Sequence, residues 1–288
     1  MAAFYRKDEI PEHLQQYFCP AEIGLEATPD AYVQQMVAVF REVRRVLKDD
    51  GVLWLNLGDS YAATRGYQVP DSKHVDVGNS RGMKASEYGA KAKDLLGIPW
   101  RVAFALQADG WYLRSDVIWH KPNPMPESVT DRPTKAHEYL FLLTKSERYF
   151  YDADAIREPH VRLWDATNGG NLSPVGAHKA NGAVRERGGD YPKPHELGRN
   201  RRTVWTVPTT PYSGAHFATM PEKLVEPCVL AGSRPGDLVF DPFLGSGTVG
   251  AVAERLGRRW VGTDLNTAYH GLAKKRTAQR GLFLEVSA

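Results

Sequence analysis

The chain has 288 residues, 42% hydrophobic and 25% charged, which allows one large or two small domains around a substantial core. A formal net charge of +3 is too mild to mark a nucleic-acid binder, so that argument must rest on local clustering. Cys19 and Cys228 offer no zinc or disulfide framework, the opening MAAFYRKDEIPEHL has no apolar signal core, and no run is long enough to span a bilayer; a cytoplasmic protein without metal or membrane contact is expected.

Residues 1–27 show no readable pattern. At Thr28-Pro29 a helix should begin, with a capping hydroxyl followed by proline at its first position. Val33, Met36, Val37, Phe40, Val43 and Leu47 recur at helical spacing, Arg41, Arg44, Arg45 and Lys48 form a solvated face, and Gly51 closes the helix. Residues 52–57, VLWLNL, are nearly all apolar, as in a strand covered on both faces. They run into Gly58-Asp59-Ser60-Tyr61, where polar groups past the carboxyl end of a parallel strand would face a ligand, although a plain turn uses the same residue types. Residues 62–93 form a long loop whose Arg65, Lys73, Arg81, Lys84, Lys91 and Lys93 suit phosphates or simply solvate it.

A helix is expected over 98–106, with Pro99 at its start, and a strand over 111–119. His120-Lys121-Pro122-Asn123-Pro124-Met125-Pro126 follows; its three prolines exclude helix and central strand and make a rigid loop presenting Asn123 and Met125. Residues 138–144 read as the next strand, with 149–151 as its hairpin partner. Residues 152–204 lose apolar periodicity and are the most basic part of the chain, from Arg157 and Arg162 through Arg185 and Arg187 to Arg199, Arg201 and Arg202. Trp164, Tyr191 and Trp205 interleave aromatics that could stack on bases; a solvated insertion is the plainer account. A helix over 221–231 leads to the most informative stretch.

That stretch is LVFDPFLGSGT, residues 238–248, and its continuation to Asn266. A short strand at 238–240 turns at Asp241-Pro242 into the loop Gly245-Ser246-Gly247-Thr248-Val249-Gly250. A helix runs from Thr248 to Gly257, and a strand over 260–263 ends at Asp264. Glycines let the backbone pass close to a ligand, a helix N-terminus favours negative charge, and a carboxylate can accept bonds from both ribose hydroxyls. The pattern is a nucleoside-cofactor site. GSGTVG also satisfies the dinucleotide fingerprint, but Asp-Pro-Phe before the first glycine and the small amount of sheet left after it point away from NAD.

DPFLGSGT followed by VGTDLN resembles the S-adenosylmethionine motif of DNA amino-methyltransferases. AEIGLEATPDAYVQQMVAVFREVRRVLKDDGVLWLNLGDSY, GIPWRVAFALQADGWYLRSDVIWHKPNPMPESVTDRPTKAHEYLFLLTK and HFATMPEKLVEPCVLAGSRPGDLVFDPFLGSGT look like the same family, site-specific enzymes acting on exocyclic amines, over roughly residues 21–270. The cofactor half comes last, which is the permuted order of the family's beta group. The resemblance implies an α/β, Rossmann-like, circularly permuted methyltransferase fold with a mostly parallel sheet. It places a catalytic half at 1–151, a basic, loop-rich target-recognition insertion at 152–204 and the cofactor half at 205–288. It assigns the cofactor to Thr219, Pro221, Asp241, Phe243, Gly245, Ser246, Gly247, Thr248, Asp264 and Asn266. Ser60, Lys121, Asn123 and Met125 would border the target base, and the partner would be double-stranded DNA, with a homodimer allowed.

One departure bears on chemistry. The family's catalytic signature, a polar or acidic residue before Pro-Pro and an aromatic, should precede the helix at Thr28, yet the sequence contains no Pro-Pro dipeptide. An exocyclic amine is a poor nucleophile because its lone pair is conjugated with the ring. The enzyme must flip the base, hold the amine with acceptors and align it with the sulfonium methyl. Asp59 and Tyr61 are the nearest substitutes as acceptor and stacking face. Two readings of the chain therefore stand: a working methyltransferase, or a truncated or inactive homologue that binds cofactor or DNA. An NAD-dependent oxidoreductase is a distant third.

Overall fold

Helix α1 (Pro29–Val46) begins where its signals place it: Thr28 Oγ1 accepts from Ala31 N at 3.1 Å, and Pro29 occupies the first turn, where its missing N–H costs nothing. The computed structural model describes residues 23–24, 26, 28–62, 89–160, 195–209 and 219–281. After α1 come β1 (Val52–Leu57), α2 (Ile98–Ala108), β2 (Tyr112–His120), β3 (His137–Thr144), a 3-10 turn at Asp154–Ile156, and β4 (Val204–Thr206). The chain continues with α3 (Glu222–Gly232), β5 (Leu238–Asp241), α4 (Thr248–Arg255), β6 (Arg259–Gly262) and α5 (Thr267–Gly281).

The first sheet has the order β1-β3-β2-β4, and β5 pairs with β6 separately. This α/β layering fits the expectation, but the sheet is mixed rather than mostly parallel. β3 runs antiparallel to both β1 and β2, while the β2–β4 and β5–β6 pairs are parallel. The physical reason is the connection: the proline loop between β2 and β3 holds no crossover helix, so the chain returns from the end at which it left.

Three further expectations change. Residues 149–151 form no hairpin; Phe150 N donates to Asp50 O at 2.8 Å, beneath the guanidinium of Arg234, 3.9 Å from its ring centre. Trp205 is not a surface stacker but core, 3% exposed, packed at 5.9 Å on Trp54, with its indole N–H donated to Arg202 O. Because β4 pairs with β2, the expected boundary at 204/205 cuts through a strand. The start of the insertion is also integral, since Asp152 N bonds Ala231 O at 2.9 Å and Ile156 is buried. Trp164, Tyr191 and the basic loop over 63–88 lie outside the described residues.

Helices cover the first sheet on both faces. On one side Met36, Phe40 and Val43 of α1 and Val102, Ala103 and Leu106 of α2 meet Leu55, Phe141 and Leu143. On the other, Val117, Trp119, Leu140 and Trp205 meet Leu224 and Cys228 of α3. Val225 and Val229, displaced around the same helix, pack with Val252 of α4 and with Val239. One helix thus carries two apolar stripes, each at i, i+4 spacing, and joins the two sheets. Among the described residues no helix is long and apolar enough to cross a membrane.

Leu224 is fully buried at this joint. Leu224→Ala should lower the unfolding free energy by about 3 kcal/mol in urea titrations. A change within about 0.5 kcal/mol would show that α3 does not hold the sheets together.

Candidate active site

The glycine loop is shaped by backbone demands. Asp241 ends β5 and accepts from Phe243 N at 3.0 Å through Oδ1; Leu244 N reaches Thr263 O at 2.9 Å, tying the loop to the end of β6. Gly245 has φ +50°, and a side chain there would meet only Phe243 O, at an ordinary contact distance of 3.9 Å, which leaves room for a closely approaching ligand. Gly247, at φ +80°, serves packing instead: a Cβ there would meet Ala273 of α5 at 2.8 Å. Gly250 similarly makes room for the ring of Trp260. Of the paired glycines assigned to the cofactor, Gly245 is uncrowded and Gly247 brings two helices together.

Asp264 closes the unit. Its Oδ2 accepts from Gly245 N and its Oδ1 from Asn266 N, both at 2.8 Å, which leaves further lone pairs on each oxygen. Burial pushes the Asp241 carboxyl up to about 6, and the neighbouring Asp264 charge adds to the rise, against the lowering effect of the Phe243 N–H. Two carboxylates beside an open glycine step favour a cation. Phe243, 46% exposed, meets Phe40 edge-on at 6.2 Å, which sets the loop against α1. Pro221 caps α3 and is buried, with the half-buried Thr219 two residues before it.

The other expected loops are braced. Asp59, whose side chain is 3% exposed, accepts from Ser60 N and, at 3.0 Å, from Ile98 N at the start of α2; its second oxygen lies 3.8 Å from Lys135 Nζ. This carboxylate caps a helix that has only a glycine at its N-cap, so its geometry is that of a strut rather than of an open acceptor. Tyr61 has the Arg132 guanidinium 3.8 Å from its ring centre, which occupies one face. Lys121 pairs with Glu138 and sits over Trp119. Asn123 clamps residue 209 from both sides, donating to Thr209 O at 3.1 Å and accepting Thr209 N at 3.0 Å. Met125 projects from the same loop, 84% exposed. Burial, with help from Lys135 and His120, lowers the proton affinity of the nearby His137.

Beside β4, a depression of about 680 Å³ is lined by Glu158, Arg199, Arg201, Arg202, Thr203 and Val204. Arg199 pairs with Glu158 at 3.1 Å, and Arg201 lies 4.5 Å over Trp205. Sequence reading missed Arg132, Lys135 and Glu138, the counter-ions of these loops, and Arg276, which reaches the glycine loop from α5. Isolated charges on unpatterned segments carry no signal of what they will meet. No group of His, Cys, Asp and Glu suited to a metal occurs among the described residues.

Comparison with known proteins identifies the class. A model of the N6/N4 DNA methylases matches residues 15–275. The chain is 47% identical over 267 residues to the Type II methyltransferase M.Cfr9I of Citrobacter freundii, covering 91% of this chain and 77% of that protein. It is 46% identical over 268 residues to the Type II methyltransferase M.SmaI of Serratia marcescens, covering 93% and 81% respectively. The chain belongs to the N6/N4 DNA methylase family, the DNA amino-methyltransferases. Its fold agrees with solved members. The cytosine-N4-specific PvuII DNA methyltransferase superposes with TM-score 0.59 at 20% identity, over 90% of this chain and 74% of that one. M1.HpyAVI, solved as a complex with S-adenosylmethionine, gives TM-score 0.52 at 15% identity, over 96% and 98%.

Because folding raises the Asp241 pKa, the folded state holds this proton over a range in which the unfolded chain has released it. The group therefore favours folding least above pH 6, and stability drains away as pH rises from about 4 to 6. Asp241→Asn keeps the acceptor for Phe243 N and removes the titration. Urea titrations should show the variant gaining on the native protein across that interval; a constant difference would contradict the burial of this charge.

Proposed function

We propose that the glycine-loop cleft binds S-adenosylmethionine and that the loops beyond β1 and β2 present an exocyclic amine of cytosine or adenine in duplex DNA to its methyl group. The observation that carries this reading is the pair of carboxylates, Asp241 and Asp264, around the open step at Gly245. S-adenosylmethionine carries a sulfonium and an ammonium, which such a pair attracts; the pyrophosphate of NAD would be repelled. The bound cofactor supplies an electrophilic methyl on sulfur. Asp264, held by Asn266 N, would accept from the ribose, Phe243 would pack along the cofactor, and Thr219 and Pro221 would stand at its methionine end.

On the substrate side, Ser60 and Tyr61 border the base together with the loop held by Lys121 and Asn123, and Met125 stands at its rim. Asp59 positions that ground by fixing the start of α2. The arginine-lined depression beside β4 supports backbone contacts with DNA, since guanidinium groups bind phosphates through charge and paired hydrogen bonds. Resemblance to Type II methyltransferases supports a modification role of the kind found in restriction–modification pairs. A second reading, cofactor and DNA binding without transfer, is favoured by the missing Pro-Pro signature and by the engaged Asp59 carboxylate.

Labelled methyl from S-adenosylmethionine should enter unmethylated duplex DNA incubated with this chain alone, and hydrolysis of the DNA will name the base. Cofactor binding with no incorporation would favour the second reading. Gly245→Val places a branched side chain in the open step and at a positive φ; calorimetry should find cofactor binding abolished. Unchanged affinity would move the site elsewhere.

A further inference from the structure

Arg276 of α5 joins three elements of the cofactor half. Its Nη1 donates to Ser246 Oγ at 2.9 Å and to Thr248 Oγ1 at 2.7 Å, and its Nη2 lies 3.3 Å from Glu222 Oε1 at the start of α3. The arginine side chain is 11% exposed, and both hydroxyl residues are buried. Glu222 also faces Arg255 of α4 at 3.8 Å. Five charged or hydroxyl groups thus converge between α3, α4 and α5.

The direction of these bonds matters. A guanidinium only donates, whereas a hydroxyl has one hydrogen and two acceptor lone pairs. With Arg276 filling an acceptor position on each oxygen, the hydrogens of Ser246 and Thr248 must turn to some other acceptor. Among the described residues, neither hydroxyl donates a hydrogen bond. Both stand at the N-terminal turn of α4, whose first intrahelical bond is Ala251 N to Gly247 O, so the preceding amides need partners as well. Two hydroxyl donors beside helix-terminal amides make a receptor for a carboxylate, and the nearby cation favours the negative charge.

We propose that Arg276 is a positioning residue for the cofactor: by occupying the acceptor side of Ser246 and Thr248 it turns both hydroxyls into donors for the α-carboxylate of the methionine moiety. The proposal rests on the reading of the glycine loop as the S-adenosylmethionine site. It also explains the contact with Glu222, which follows Thr219 and Pro221 at the methionine end and holds the guanidinium from the far side.

The test compares two ligands on the full chain by calorimetry, S-adenosylmethionine and its decarboxylated analogue. Arg276→Gln should weaken S-adenosylmethionine about tenfold or more, the scale of a charge-assisted hydrogen bond, and leave the analogue within about twofold. Arg276→Lys should recover part of the loss. The double variant Ser246→Ala, Thr248→Val should show the same ligand selectivity, and adding Arg276→Gln to it should cost little more. That comparison also decides the matter if Arg276→Gln does not fold. Equal weakening of both ligands would make Arg276 a brace of the fold and overturn the proposal, as would no weakening of either. A native chain that binds neither ligand would overturn the cofactor reading itself, and this proposal with it.

Discussion

The site depends on α3 packing against two sheets at once. Leu224 and Cys228 seat it on β2, β3 and Trp205, while Val225 and Val229 seat it on α4 and the strand that leads to the glycine loop. Neither sheet alone is large; the second has two strands among the described residues. A helix buried on both flanks removes apolar surface from each and fixes their relative position. The contacts at its C-terminal end act in the same sense: Gly232 lies so close to β1 that a Cβ would meet Val52 at 2.6 Å, and Arg234 and Lys48 form ion pairs across the adjacent turns.

From that joint the glycine-loop cleft follows with little freedom. The N-terminus of α3 brings Glu222 to Arg276, Arg276 holds the hydroxyls of the glycine loop, and Asp264 accepts the amide of Gly245. The loop is braced on its α5 side and uncrowded at Gly245 itself, the step proposed to receive the ligand. Burying Asp241 beside Asp264 is electrostatically unfavourable without a counter-charge, which a cationic cofactor bound there would supply. On the proposed reading the same cleft also takes the carboxylate of the methionine moiety at its other end, where the hydroxyls of Ser246 and Thr248 replace carboxylates.

Much of this was legible in the sequence. The capping pair Thr28-Pro29, the apolar run VLWLNL and the glycine motif each state their local structure, and the elements begin where those signals fall, although the first helix ends at Val46, short of the expected stop at Gly51. What escaped depends on partners distant in sequence. β4 is three residues long, too short for any period, and exists because β2 offers an edge. Trp205 looked like a base-stacking aromatic among arginines because sequence cannot show that Trp54 stands behind it. Asp59 looked available because Ile98 N, which it caps, lies far along the chain. Gly247 and Gly245 read alike in the motif, and only the position of α5 separates a glycine required by packing from one that is uncrowded. Strand direction failed for a similar reason, since the loop from β2 to β3 is long enough to have held a crossover.

The central claim is that paired carboxylates around an open glycine step select a cationic nucleoside. Titration calorimetry of the chain with S-adenosylmethionine and with NAD at neutral pH tests it most directly. The account predicts saturable binding of one S-adenosylmethionine per chain and none of NAD, with affinity falling as pH drops below about 6 and Asp241 takes up a proton. Saturable binding of NAD, or affinity for S-adenosylmethionine that does not change across that pH range, would contradict it.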